Sequence, residues 1–245
     1  MMSFCLVSLF SIAAGAKVAV AAAAPPPPHF ECAHRTGAPI MIDGVPDEQA
    51  WRDCAPITDF RLFKTLGKPT EKTTLRICYD ETYLYALFEC TDPDIYVLHQ
   101  ERDGKLWESD AVELFFWPDD SNPIYYEFEV GPANAVFDAR FVNTGSGDFQ
   151  RWAQWNCEIR TATRVRGTVN DWKDRDDGYT VEIAIPLKAF AETTWDKPLP
   201  GQTWKFAAVR VDLSATLAKE ERAATANVPD GDIHQKDGYA TLTFK

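Results

Sequence analysis

Nine segments of this chain alternate apolar and polar residues with a period of two, and no long stretch keeps the spacing of an amphipathic helix. They are TLRICY, YLYALFE, AVELFFW, YYEFEV, AVFDARFV, QWNCEIRTATRV, YTVEIAIP, WKFAAVRVDL and YATLTF. Strands of this kind bury their apolar faces only by stacking sheet on sheet. An all-β fold is therefore expected, a two-sheet antiparallel β-sandwich of the jelly-roll or immunoglobulin-like kind. Short helical turns are expected at PDEQAWRDC and PLKAFAE.

Residues 1–24 are an apolar, small-residue run that precedes Pro25–Pro28, the pattern of a secretory signal peptide. Lys17 interrupts the run, which is too broken to span a bilayer. The expected organisation is a signal peptide over 1–24, a proline-rich spacer over 25–34 and one sandwich domain over 35–245, secreted or periplasmic. Without residues 1–24 the chain holds 24 basic and 37 acidic residues, a net charge of −13. Such a surface argues against nucleic acid and anionic membranes as partners. Beyond Cys5, the chain has Cys32, Cys54, Cys78, Cys90 and Cys157, an odd number with no CxxC pair. A Cys32–Cys54 disulfide is the first expectation in an oxidising compartment.

The middle strands can be paired through their turns. Glu113 then comes opposite Glu129, Glu127 opposite Asp138, and Tyr125 opposite Arg140. Val112, Leu114, Phe116, Tyr126, Phe128, Val130, Ala135, Phe137, Ala139 and Phe141 form a core face in this register. The other face mixes Phe115, Trp117 and Tyr125 with Glu113, Glu127, Glu129, Asp138 and Arg140. Aromatic planes beside hydrogen-bonding acids suit a sugar, whose C–H face stacks on rings while its hydroxyl rim is bound by polar groups. A plain solvated sheet face with cross-strand pairs is the other reading of the same pattern.

The segments IMIDGVPDEQAWRDCAPITDF, LRICYDETYLYALFECTDPDI, WESDAVELFFWPDD, YYEFEVGPANAVFDARF, RDDGYTVEIAIPLKAF and GQTWKFAAVRVD follow in the order seen in carbohydrate-binding module family 9. The chain resembles that family from Ile40 to Phe244. The resemblance implies a sandwich that binds sugar without catalysis, often as an appendage of xylan- or cellulose-degrading enzymes, with structural calcium in the best-known members. It also implies two tryptophans that clamp a terminal sugar, helped by a glutamate, an arginine and amides. Trp107 and Glu113 match the first tryptophan and the glutamate. Glu129 stands at the arginine's position, with Arg140 as the candidate replacement. The stretch RAATANVPDGDIHQKDGYATLTF, where the second tryptophan falls in the family, has none. Tyr125 and Trp152 complete the candidate sugar-contact set. The expected partners are a polysaccharide or its oligosaccharides, with separately encoded glycoside hydrolases acting alongside.

Several other residues carry expectations. Trp152 and Trp155, an odd number of residues apart, should face opposite sides. Glu182 and Arg210, each mid-strand among apolar residues, are expected to pair. The runs TDPD, PDDSNP and DWKDRDDG are either calcium loops or solvated turns, and none matches an EF-hand. Gly178 and Gly238 are expected at turns. Glu113, Glu127 and Glu129 share a face, yet no GxSxG, HExxH or phosphate loop accompanies them, and no enzymatic activity is expected. A haem-binding DOMON-like sandwich would need axial ligands, with His29, His34, Met41, His99 and His234 as the candidates. No CxxCH is present, and no haem is expected. A protein-interaction sandwich without sugar binding is the remaining alternative.

Overall fold

The computed structural model describes residues 25–142, 149–194, 198, 200–214 and 220–245. The described residues form β1 (His29–His34), β2 (Arg61–Leu62), β3 (Thr73–Tyr79), β4 (Tyr83–Cys90), β5 (Ala111–Trp117) and β6 (Tyr125–Val130). They continue through β7 (Val136–Phe141), β8 (Arg160–Arg166), β9 (Gly178–Pro186), β10 (Thr203–Leu213), β11 (Glu220–Ala224) and β12 (Ala240–Phe244). Short helices α1 (Gln49–Asp53), α2 (Phe149–Trp152) and α3 (Ala191–Thr194) punctuate them. None is long and apolar enough to cross a membrane.

The strands join in one hydrogen-bonded path, β7-β6-β5-β10-β12-β1-β3-β4-β9-β8, with β11 on β10 and β2 on β11. The expectation of two separate sheets is thus refined. The joint is β1, whose first residues run parallel to β12 and whose last two run parallel to β3. The path folds about this joint into a front arm (β7, β6, β5, β10, β12) and a back arm (β3, β4, β9, β8). One core lies between them, taking Leu114, Phe128 and Phe206 from the front and Ile77, Phe88 and Ile183 from the back. The nine alternating segments correspond to β3 to β10 and β12. Of the stretch expected as spacer, only the prolines precede β1, and the rest builds the joint.

One register differs from the sequence reading. Glu113 does face Glu129 across β5 and β6, but across β6 and β7 Phe128 pairs with Asp138 and Tyr126 with Arg140. The cause is the hairpin loop Gly131–Ala135, closed by the Gly131 N–H on the Ala135 carbonyl at 3.1 Å. Asn134 there takes a left-handed φ of 60°, which adds the odd residue to the turn. A slip of one residue exchanges the faces of a strand. Phe137, Ala139 and Phe141 therefore join the glutamates, whereas Asp138 and Arg140 turn to the opposite face.

The outer face of the front arm is not bare. Leu106, Ala153, Ala226, Val228 and Tyr239, from three connecting segments, pack on Phe115, Trp117, Tyr125, Phe137 and Phe141 as a second apolar cluster. Gly238 permits this closure, because a side chain there would collide with the Asn227 carbonyl, whose own N–H bonds to the Gly238 carbonyl at 2.9 Å. A third cluster caps the back arm, where Ile40, Trp51 and Cys54 cover Cys78, Tyr85 and Leu87.

The expected Glu182–Arg210 pair does not form, because the two residues sit on different sides of the core. Glu182 faces outward on β9 and ties down the segment ahead of α1, accepting from Trp51 Nε1 at 2.8 Å, Gly44 N at 2.8 Å and Asp43 N at 2.9 Å. Arg210 points inward and pairs with Asp92 at 2.5 Å while its guanidinium lies over the Tyr179 ring. Trp155 and Trp152 take opposite sides, Trp155 on the main core and Trp152 on the outer cluster.

Candidate sugar site on the outer face of the front arm

Period-two geometry places Glu113, Glu127 and Glu129 side by side on the outer face, with Phe115 and Trp117 on β5 and Tyr125 on β6. All three carboxylates are buried under the covering segments, Glu129 almost completely at 1% exposure. Burial opposes ionisation, so the Glu113 carboxyl is pushed up to about 7 against the pull of Arg222. Burial and the neighbouring Glu113 push Glu127 up to about 8. Glu129 is raised well above the usual carboxylate range, by burial first and then by both of its acidic neighbours. Neither oxygen of Glu129 meets a hydrogen-bond donor of the described residues. A proton on Glu129 is what allows it to face Glu127 without repulsion.

A cation beside the glutamates on this face is Arg222 on β11. Its partner in the register is Val211, two residues along β10 from Val209, which faces Glu113. Arg222 therefore shares the glutamates' side of the sheet and opposes the rise at both Glu113 and Glu129. Its Nη2 donates to the Trp107 carbonyl at 3.1 Å. Trp107 stands on a 3-10 turn, Leu106–Glu108, just before β5, and sets its ring edge-to-face with Phe137 at 5.8 Å. Phe137 is the residue opposite Glu129 on β7. Trp107, Phe137, Glu129, Glu113 and Arg222 thus form one connected group, and Trp107 and Arg222 are its partly exposed members.

The remaining candidates divide. Tyr125 is wedged between Trp117 and Phe141, with ring centroids 4.8 and 4.7 Å away, and its hydroxyl meets His234 Nδ1 at 2.9 Å. Both faces of its ring are covered, so it buttresses the site and offers no stacking plane. Trp152 leans on Phe141 at 6.1 Å, at the β7 side of the face. Arg140 lies on the other face of β7 and pairs with Glu192, which corrects its expected place beside the glutamates. Asp138, fully buried, pairs with Arg102 and accepts from Cys157 N. Arg222 was missed because EERAA offers no large apolar alternation to announce a strand.

Among the described residues one acidic trio converges, Asp92, Asp110 and Asp212, with oxygens within 4.8 Å of one another. Of these, only Asp92 belongs to an acid-rich run singled out from the sequence. Together with Arg210 the three carboxylates carry a net charge of −2, which one divalent cation balances, and carboxylate oxygens are the donors calcium takes. Burial raises Asp110 well above the usual carboxylate range, against the pull of Arg210. The other runs serve turns and packing. Asp119 caps Ser121 N at 2.9 Å, and buried Asp176 accepts from Ile95 N at 2.9 Å and Thr168 N at 2.7 Å.

An all-β scaffold thus sets a buried acidic and aromatic face beside a partly exposed tryptophan. The carbohydrate family 9 binding domain-like profile matches residues 42–243, and the chain belongs to that family. Over 190 residues it is 26% identical to an "Extracellular protein" of Arthroderma benhamiae, covering 72% of this chain and 80% of the relative. It is 30% identical over 159 residues to endo-1,4-beta-xylanase A of Thermotoga maritima, covering 64% of this chain but only 13% of the enzyme. With endo-1,4-beta-xylanase C of Paenibacillus barcinonensis it shares 28% identity over 147 residues, 11% of that enzyme's length. Among solved structures, a family 9 module from Caldicellulosiruptor kristjanssonii in complex with glucose superposes with a TM-score of 0.61 at 18% identity, covering 88% of this chain and 95% of the module. A family 9 module from the same organism in complex with cellotriose gives a TM-score of 0.58.

Proposed function

We propose that this protein is an exported, non-catalytic carbohydrate-binding module that takes its sugar at the mouth formed by Trp107 and Arg222, above Glu113 and Glu129. Membership of the family is the observation that carries carbohydrate binding. The site is supported by the connected group around Trp107, which joins a partly exposed ring, a guanidinium and unsatisfied carboxylate oxygens. In this reading a sugar ring lies on Trp107, Arg222 donates to a hydroxyl or ring oxygen, and the glutamates accept from the hydroxyl rim. Arg222 takes the part expected of Arg140. Trp152 stands as a second aromatic plane at the edge of the same face. The xylanase relatives, which carry the matching region within their own chains, support a role beside polysaccharide-degrading enzymes, and residues 1–24 support export. We read the two arms as the layers of a jelly-roll-type sandwich.

The test is calorimetric titration of the full chain with cello-, xylo- and manno-oligosaccharides. Trp107→Ala is expected to weaken binding about ten-fold or more, since loss of a stacking plane removes on the order of 1 to 2 kcal/mol. If the wild-type protein binds none of these sugars, the interaction-sandwich reading replaces this one.

The same reading places structural calcium at Asp92, Asp110 and Asp212, where it would relieve repulsion between the three carboxylates. Calcium at 100 times its dissociation constant should raise the stability by about 2.7 kcal/mol. Asp110→Asn should abolish the rise. Equal melting temperatures in calcium and in chelator would remove the ion from the site.

A further inference from the structure

The segment that caps the back arm carries an arrangement outside the sugar site. After α1 the chain returns to β3 through an antiparallel bridge, Ile57 with Leu75, closed by reciprocal N–H to carbonyl bonds of 2.8 and 2.9 Å. Cys54 and Cys78 each lie three residues to the same side of that bridge. Both belong to the small outer cluster with Trp51 and Tyr85, and the Cys54 thiol donates to the Ala50 carbonyl at 3.1 Å. They also line one cavity of 330 Å³, rimmed by Arg35, Glu48 and Asp53. Cys32, the partner expected from sequence, is turned away. On β1 its neighbour Ala33 pairs with Cys78 and packs on the outer cluster, so Cys32 points to the opposite face, into the main core.

We propose that Cys54 and Cys78 are an oxidisable pair that closes to a disulfide and fastens the capping segment, residues 40–57, to β3. The oxidant is a small-molecule disulfide reaching the sulfurs through the cavity. The Cys54 thiolate attacks one sulfur of that disulfide and expels one thiolate. The Cys78 thiolate then attacks the Cys54 sulfur and expels the second, so the protein loses two protons and two electrons and two small thiols are formed. The Cys78 side chain, with Arg76 and Arg35, holds the Cys54 thiol below its usual range while Cys78 is raised beside it, which suits Cys54 as the first nucleophile and Cys78 as the second. The resulting bond closes the chain between Cys54 and Cys78 and restricts the unfolded state accordingly.

The experiment uses the full chain, reduced with a phosphine and then exposed to glutathione disulfide, followed by alkylation under denaturing conditions and non-reducing peptide mapping. The expected result is two fewer alkylatable thiols, a mass lower by about 2 Da from the lost hydrogens, and a peptide linking Cys54 to Cys78. Cys54→Ser and Cys78→Ala should each abolish the link, and Cys32→Ser should keep it. The oxidised form should also melt about 5 °C or more above the reduced form. A link that includes Cys32, or no link in oxidised protein with a native circular dichroism spectrum, overturns the proposal. Equal melting temperatures for linked and reduced protein overturn the fastening role.

Discussion

Arg210→Met is expected to lower the unfolding free energy by about 3 to 5 kcal/mol in calcium-free buffer at pH 7. Arg210 closes one end of the core, donating to Asp92 at 2.5 Å, to the Val211 carbonyl at 2.9 Å and to the Tyr179 hydroxyl. Asp92 and Asp110 are raised by burial and held down chiefly by this guanidinium. Methionine fills much of the volume but leaves three neighbouring buried acids with no cation, and removing one partner of a buried ion pair costs more than the pair contributes. The loss should shrink near pH 4, where Asp92 and Asp110, both raised by burial, hold protons and no longer need the charge. Urea unfolding at both pH values measures it. A change below about 1 kcal/mol at pH 7 would mean that Asp92 and Asp110 already hold protons in the wild type.

Glu129→Gln should act in the other direction and stabilise the protein at pH 8 by about 2 kcal/mol or more. An unfolded glutamate ionises near pH 4.3, whereas Glu113 and Glu127 rise to about 7 and about 8 and Glu129 rises well above its usual range. Groups raised in this way contribute stability that is fully present below the unfolded value and is lost as pH rises through the folded values. Glutamine at this position has no proton to release on unfolding, which flattens that loss. His234, whose buried imidazole is depressed, has the opposite sign below about pH 6.5, so the quantity to follow is the difference between variant and wild type from pH 5 to pH 8. A difference that does not grow with pH would sink the account. If Glu129 meets the sugar, the same variant should bind it more weakly, an exchange of function for stability that buried polar sites often show.

Much of the front arm was legible in the sequence. The alternation in AVELFFW and YYEFEV defines both faces of β5 and β6, and the Glu113–Glu129 pairing follows from it. The β7 register was not legible, because it depends on whether Asn134 adopts a left-handed turn conformation. That single residue moves Arg140 away from the glutamates and brings Phe137 to them. The face expected to carry acids toward water instead buries three of them, since periodicity says which side chains share a face and nothing about what later covers it.

What the sequence by itself determined is therefore the local and repetitive part: strands, their alternating faces and the likeness to one family. What only the tertiary structure decided involves residues far apart in the chain. It joined β1 to β12 and β3, and it brought Arg222 to Trp107 and gave Arg210 to Asp92 rather than Glu182. It also set Cys54 beside Cys78. Strand pairing and burial are long-range, and a side chain's partner and charge state follow from how the arms close around it, which no window of neighbouring residues contains.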